Sequence, residues 1–132
     1  MAGIPIERFP IHLGLSASAG QEPEFTGDLS WYEAYGVRHA ADGAEGRLVT
    51  VHSFSSDWNM WEMHPHGDEV VLCLEGEMAL HQERPDGTDD TATIAAGEYV
   101  INPAGTWHTA DIACHAKALF ITAGEGTRHR PR

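Results

Sequence analysis

A chain of 132 residues is the size of one domain, with room for one hydrophobic core and not for two. Its 20 acidic residues against 8 basic ones leave a formal net charge of -12, which opposes approach to a phosphate backbone or an anionic bilayer and argues against nucleic acid and membrane as partners. The amino terminus, M-A-G-I-P-I-E-R-F-P, joins no basic flank to a long apolar run, so neither a signal peptide nor a membrane span is expected, and a cytoplasmic location follows by default.

Residues 1–30 are the least regular stretch: a short arm through Ile11 to Leu15 runs into L-S-A-S-A-G-Q-E-P-E, which reads as a linker and packs on the following domain or on a partner. The main domain is expected over residues 31–123. Trp31 to Tyr35 reads as one helical turn, capped by Ser30 and ended by Gly36. No long helix is visible, and short segments separated by turn residues every eight to twelve positions predict an all-β antiparallel barrel or sandwich. After the turn A-D-G-A-E-G, the strand Arg47–Phe54 places Leu48, Thr50, His52 and Phe54 on one face and Val49, Val51 and Ser53 on the other. Met60 to His64 is extended, Pro65 to Asp68 turn the chain, and Glu69 to Leu74 form a strand that ends at the corner Glu75–Glu77. Met78 to Glu83 and Thr91 to Ile94 flank the exposed hairpin tip R-P-D-G-T-D-D. Tyr99 to Asn102, Trp107 to Ile112 and Lys117 to Ala123 are the remaining strands, and residues 124–132 form a polar, loose tail.

Both faces of Glu69–Leu74 carry large apolar groups, so something must cover the outside of this strand; a homodimer explains it, with the amino-terminal arm as the other candidate. The two cysteines, Cys73 and Cys114, form no C-x-x-C pair and read as buried, reduced thiols.

Two segments carry the chemistry. One is E-M-H-P-H-G-D-E, Glu62 to Glu69; the other is G-E-Y-V-I-N-P-A-G-T-W-H, Gly97 to His108. Each sets imidazoles or carboxylates beside a glycine turn, as a β-barrel needs in order to converge ligands on one buried ion. Together they resemble the two motifs of the cupin superfamily, G-x5-H-x-H-x3,4-E-x6-G and G-x5-P-x-G-x2-H-x3-N. Gly97, Pro103, Gly105 and His108 meet the second, with Ile112 where an Asn would stand, and Glu69 and Gly76 meet the latter half of the first. The resemblance implies a double-stranded β-helix, a jelly-roll barrel holding a divalent transition metal.

Two alignments of the first motif compete. His64 and His66 form the H-x-H pair in one, but only two residues then separate His66 from Glu69. In the other, preferred because it keeps the family spacing, Glu62 and His64 take the two positions. The ligands implied are therefore Glu62, His64, Glu69 and His108, with His66 contesting the place of Glu62. Two imidazoles and two carboxylates suit Fe, Mn, Ni, Zn or Cu and leave positions for water, dioxygen or a chelating substrate. His12, His39, His81, His115 and His129 receive no role.

His52, Phe54, Trp58, Met60 and Tyr99 are expected to wall a pocket for a small, partly apolar organic molecule, while Trp61, Met63 and Trp107, which alternate with or adjoin the ligands, face outward. The resemblance implies a metal-dependent dioxygenase or related oxidoreductase. An isomerase using the same ion, a non-catalytic cupin that binds a metabolite or sugar as a sensor, and a metal-free dimeric scaffold are the alternatives. Which residues would be catalytic is not specified.

Overall fold

The computed structural model describes residues 1–132 and shows ten antiparallel strands in two layers. The strands are β1 (Ile11–Leu13), β2 (Ala19–Gln21), β3 (Arg47–Phe54), β4 (Met60–Met63), β5 (Glu69–Glu83), β6 (Asp89–Ala95), β7 (Tyr99–Asn102), β8 (Trp107–Asp111), β9 (Ala116–Thr122) and β10 (Arg128–Pro131); the helix α1 spans Leu29–Arg38. One layer runs β7-β5-β9-β3-β1-β2 and the other β6-β5-β8-β4-β10, so the sheet is open at both ends.

Strand β5 belongs to both layers. Its first half pairs with β7 and β9, and its second half with β6 and β8. The change of layer falls at the corner read in the sequence, where the register with β9 slips between Cys73 and Glu75 and Gly76 takes φ 72°. A bulge of this kind is how one strand turns from sheet to sheet. Only glycine fits there, since a Cβ would meet the His115 carbonyl oxygen at 2.0 Å. Between the layers lies a single core built on Val71, Cys73, Met78, Leu80, Ile94 and Phe120.

Several sequence expectations are corrected. The segment read as a linker instead contains β2, which pairs with β1, and β1 in turn extends the sheet at β3. The tail read as loose contains β10, which pairs with β4 from Arg128↔Met63 to Pro131↔Met60. Its polar residues are held from outside the core: Arg130 lies 5.0 Å from the Trp61 ring and 4.6 Å from that of Trp107, and pairs with Glu83 at 2.6 Å. Cys73 is buried as expected, but Cys114 is exposed in the bend before β9.

The one-turn helix is also longer than its sequence suggests. Asp28, not Ser30, caps it by accepting from the Trp31 amide at 3.1 Å, and the helix continues through Gly36 to Arg38. Tertiary contacts sustain this weak helix former. Tyr35 Oη lies 2.6 Å from His12 Nδ1, and Asp42 Oδ2 lies 2.6 Å from His12 Nε2. His39, which caps the carboxyl end, stacks on His12 at 3.5 Å and lies 3.0 Å from buried Glu22. The two histidines thus clasp α1 to β1.

Candidate metal centre

Strand alternation turns Glu62 and His64 to the interior while Trp61 faces Arg130 outside. Opposite them, the antiparallel register of β4 and β8 pairs Glu62 with His108 directly. Glu69 enters from the start of β5, where its register partner is Asn102 on β7. Three strands, β4 with the residue just beyond it, β5 and β8, therefore deliver these side chains to one buried point. One donor atom each of Glu62, His64 and His108 lie within 4.8 Å of one another, and Glu69 Oε2 and Oε1 lie 3.0 Å from His64 Nε2 and 3.1 Å from His108 Nε2.

The hydrogens around the site can be placed from its hydrogen bonds. Thr127 Oγ1 donates to the Gly124 carbonyl at 2.8 Å, so it accepts from His64 Nδ1 at 2.8 Å. His108 Nδ1 lies 3.2 Å from the Thr106 carbonyl, which can only accept. Both imidazoles consequently carry hydrogen on Nδ1 and, when neutral, turn a bare Nε2 lone pair inward. Neither Nε2 forms an aligned hydrogen bond although a Glu69 oxygen is close to each, so with neutral imidazoles lone pairs face lone pairs unless a cation or a proton lies between. The arrangement fits a divalent ion: two imidazole nitrogens, a buried carboxylate, and a second carboxylate on the open side.

Burial alone would raise the Glu69 carboxyl, yet the His108 and His64 imidazoles outweigh it and hold the group well below the ordinary carboxylate range. For His64, burial opposes the charged form, but Glu69 and then Glu62 raise it above its usual value. Further donors steady Glu69: Thr122 Oγ1 donates at 2.7 Å and Asn102 Nδ2 at 3.1 Å, and Gln82 Nε2 donates to Asn102 Oδ1 at 2.8 Å.

Of the residues expected at the site, Glu62, His64, Glu69 and His108 are brought together. His66 is not: it is exposed and its ring lies beside Gly126. Of the expected pocket wall, His52, Phe54 and Trp58 form one aromatic group around Phe120, with Trp58 6.5 Å from the His108 ring, and Met60 is half-buried two residues before Glu62. Tyr99 does not belong to it. Its register partner Leu72 lies on the outer face, and Tyr99 is 63% exposed, because inward Asn102 fixes the opposite parity for a residue three places earlier.

Other residues around the site gave no sequence signal. Phe25 packs on His52 at 5.3 Å and on Trp31 and Tyr32 of α1, so the arm and the helix close one side of the aromatic wall. Burial, with a smaller contribution from the Glu62 charge, pushes the Tyr32 phenol up to about 12. His129 on β10 stands opposite Glu62, 3.9 Å away. Thr127 and Thr122 look like any loop or strand threonine until the fold brings them to the imidazole and the carboxylate.

No family model matches the chain, and no curated protein matches it. Its likeness to solved structures is extensive. An oxalate oxidase in complex with the substrate analogue glycolate is similar over 62% of this chain and 45% of that one, with 15% identity and a TM-score of 0.55. Hydroquinone 1,2-dioxygenase from Sphingomonas sp. TTNP3 with 4-hydroxybenzoate bound is similar over 58% and 59%, with 14% identity and a TM-score of 0.50. The protein BH2720 from Bacillus halodurans is similar over 65% and 63%, with 23% identity and a TM-score of 0.50. The chain thus spans less than half the length of the oxidase it matches. These are all cupin-fold proteins, and the present chain has the cupin fold.

Proposed function

We propose that this chain is a single-domain cupin that holds a divalent transition ion on His64, His108, Glu69 and Glu62 and acts on a small organic molecule as a metal-dependent oxidoreductase, in the manner of a dioxygenase. The observation that carries the reading is the pair of inward Nε2 atoms, each a free lone pair in the neutral imidazole whose Nδ1–H is taken up by Thr127 Oγ1 or the Thr106 carbonyl, and each facing a Glu69 oxygen. Oxidase and dioxygenase chemistry among the fold neighbours supports it. When bound, the ion would act as a Lewis acid and as a template for a chelating substrate.

The chain's own residues would do the rest. Glu69 is locked by Thr122 and Asn102, whereas Glu62 lies 3.5 Å from His64 Nε2 with 32% of its side chain exposed. Glu62 is therefore the ligand able to swing aside when substrate enters, and to hold a proton near it. His52, Phe54, Trp58 and Phe120 exclude water from one side.

Metal analysis after purification without chelators, followed by oxygen-consumption assays with chelating substrates, tests the reading. Metal at one ion per chain with oxygen uptake supports it. Metal without turnover leaves a binding or sensor cupin, and a metal-free chain that stays metal-free on reconstitution removes the proposal.

The same proposal includes a homodimer. The arm reaches over the outer face as far as β9, where Glu7 meets Lys117 at 2.6 Å, but Leu74, Tyr99 and Ile101 on β5 and β7 remain 38%, 63% and 48% exposed. This apolar strip borders β7, whose other edge has no strand beside it. A second copy is the occupant that supplies both a matching apolar face and an edge.

A further inference from the structure

Three buried side-chain nitrogens have no hydrogen-bond partner: His64 Nε2, His108 Nε2 and Trp58 Nε1. A cation accounts for the first two. It cannot account for the third, because an indole nitrogen carries a hydrogen and offers no lone pair. Its need is an acceptor.

Trp58 is not free to find one in solvent. Its amide donates to the Ala110 carbonyl at 3.0 Å, and its carbonyl accepts from Arg132 Nη1 at 3.0 Å. The preceding Asp57 accepts from the Ile112 amide at 2.6 Å. Around the ring stand Phe54 at 5.4 Å, Phe120 at 6.1 Å and the His108 imidazole at 6.5 Å. The other tryptophans differ: Trp31 Nε1 donates to the Pro23 carbonyl at 3.3 Å, and Trp61 and Trp107 lie against arginine on the outer face. A buried N–H without a partner is destabilising, and this one is fixed beside a residue of the metal centre.

Resting on the metal-centre reading above, we infer that the Trp58 indole N–H donates a hydrogen bond to an oxygen of the bound ligand, and that the ligand is a small organic acid. Its carboxylate faces the ion and Trp58, and its body lies against Phe54, Phe120 and His52. The chemistry is consistent. An indole N–H brings no competing ligand atom to the ion, and the acceptor that makes its hydrogen bond strongest is an anionic oxygen, which a carboxylate supplies. Aromatic neighbours suit a flat apolar body better than a polyhydroxylated one. Trp58 is in this sense a positioning and specificity residue.

The probe is benzoate, with imidazole as a ligand that occupies the ion without an oxygen acceptor. In the zinc-loaded full chain, benzoate is expected to move the Trp58 indole N–H resonance downfield in a proton–nitrogen correlation spectrum, leaving those of Trp31, Trp61 and Trp107 in place. Trp58→Phe is expected to weaken benzoate about tenfold, the loss of one charge-assisted hydrogen bond, and to leave imidazole within about twofold. An unmoved Trp58 resonance overturns the inference, as does an equal loss of both probes, which would mean packing alone. If Trp58→Phe does not fold, the wild-type resonance still decides. If the chain takes up no zinc, the metal reading fails by itself; the Trp58 resonance in metal-free protein then either moves with benzoate, upholding the donor, or stays, removing it.

Discussion

Substitutions at the site separate residues that sit side by side in the sequence. His64→Ala or His108→Ala is expected to abolish stoichiometric metal uptake, and Glu62→Ala to weaken it, whereas His66→Ala should leave affinity unchanged because that ring lies beside Gly126 and not at the site. Thr127→Val tests the hydrogen placement: without the oxygen that orients His64, metal affinity should fall by about 10-fold to 100-fold, measured by competition with a chelator of known affinity. Acid should release the ion, since protons compete for imidazole and carboxylate alike, and metal retained far below the histidine range would remove both imidazoles from the ligand set. The four converging residues were legible because two motifs fix their spacing from glycine and proline turns. The choice between Glu62 and His66 was not settled by spacing alone. In the structure Glu62 stands opposite His108 across β4 and β8, while His66 is exposed in the turn beyond β4, beside Gly126, which favours Glu62.

Elements were legible in proportion to how local their causes are. Strand β3 falls at Arg47–Phe54 as read, because its alternation and the preceding turn specify it within a few residues. Helix α1 and strand β10 were missed or shortened because each is sustained from a distance, the helix by His12 and Asp42, the strand by Trp61, Trp107 and Glu83. His12→Ala should therefore destabilise the chain by about 1–3 kcal/mol, the cost of removing a buried ring and leaving half-buried Tyr35 and Asp42 without their partner, read by chemical denaturation. The far end of β10 carries its own pH dependence. Hydrogen bonds from Arg132 and then His81 hold the Asp111 carboxyl below its ordinary 3.8. A depressed value means that this contribution is present above 3.8 and is lost as pH falls through the lower folded value. The pair is partly exposed, so Asp111→Asn should cost less than about 1 kcal/mol and should show first as faster amide exchange in β10.

For the molecule as a whole, apolar groups on both faces of Glu69–Leu74 argued from sequence for a cover over that strand, a second copy or the amino-terminal arm, and in the structure the outer face it belongs to is only partly covered. Val49 and Val51 are buried where the arm and β1 lie, while Tyr99 and Ile101 are not. Ile101→Glu is expected to convert the proposed dimer to a monomer in sedimentation velocity without altering metal content, because its side chain faces away from the centre. A wild-type chain that sediments as a monomer at all concentrations would remove the dimer.

Strand β5 has one further consequence. Glu69 near its beginning and Gln82 near its end both reach Asn102, although thirteen positions of chain separate them, because the strand doubles over at Gly76. A cation held by these side chains would therefore be a keystone between the two leaves of the jelly roll, with no complete cradle until both have closed. Exchange of such an ion should be slow, paced by the parting of the leaves.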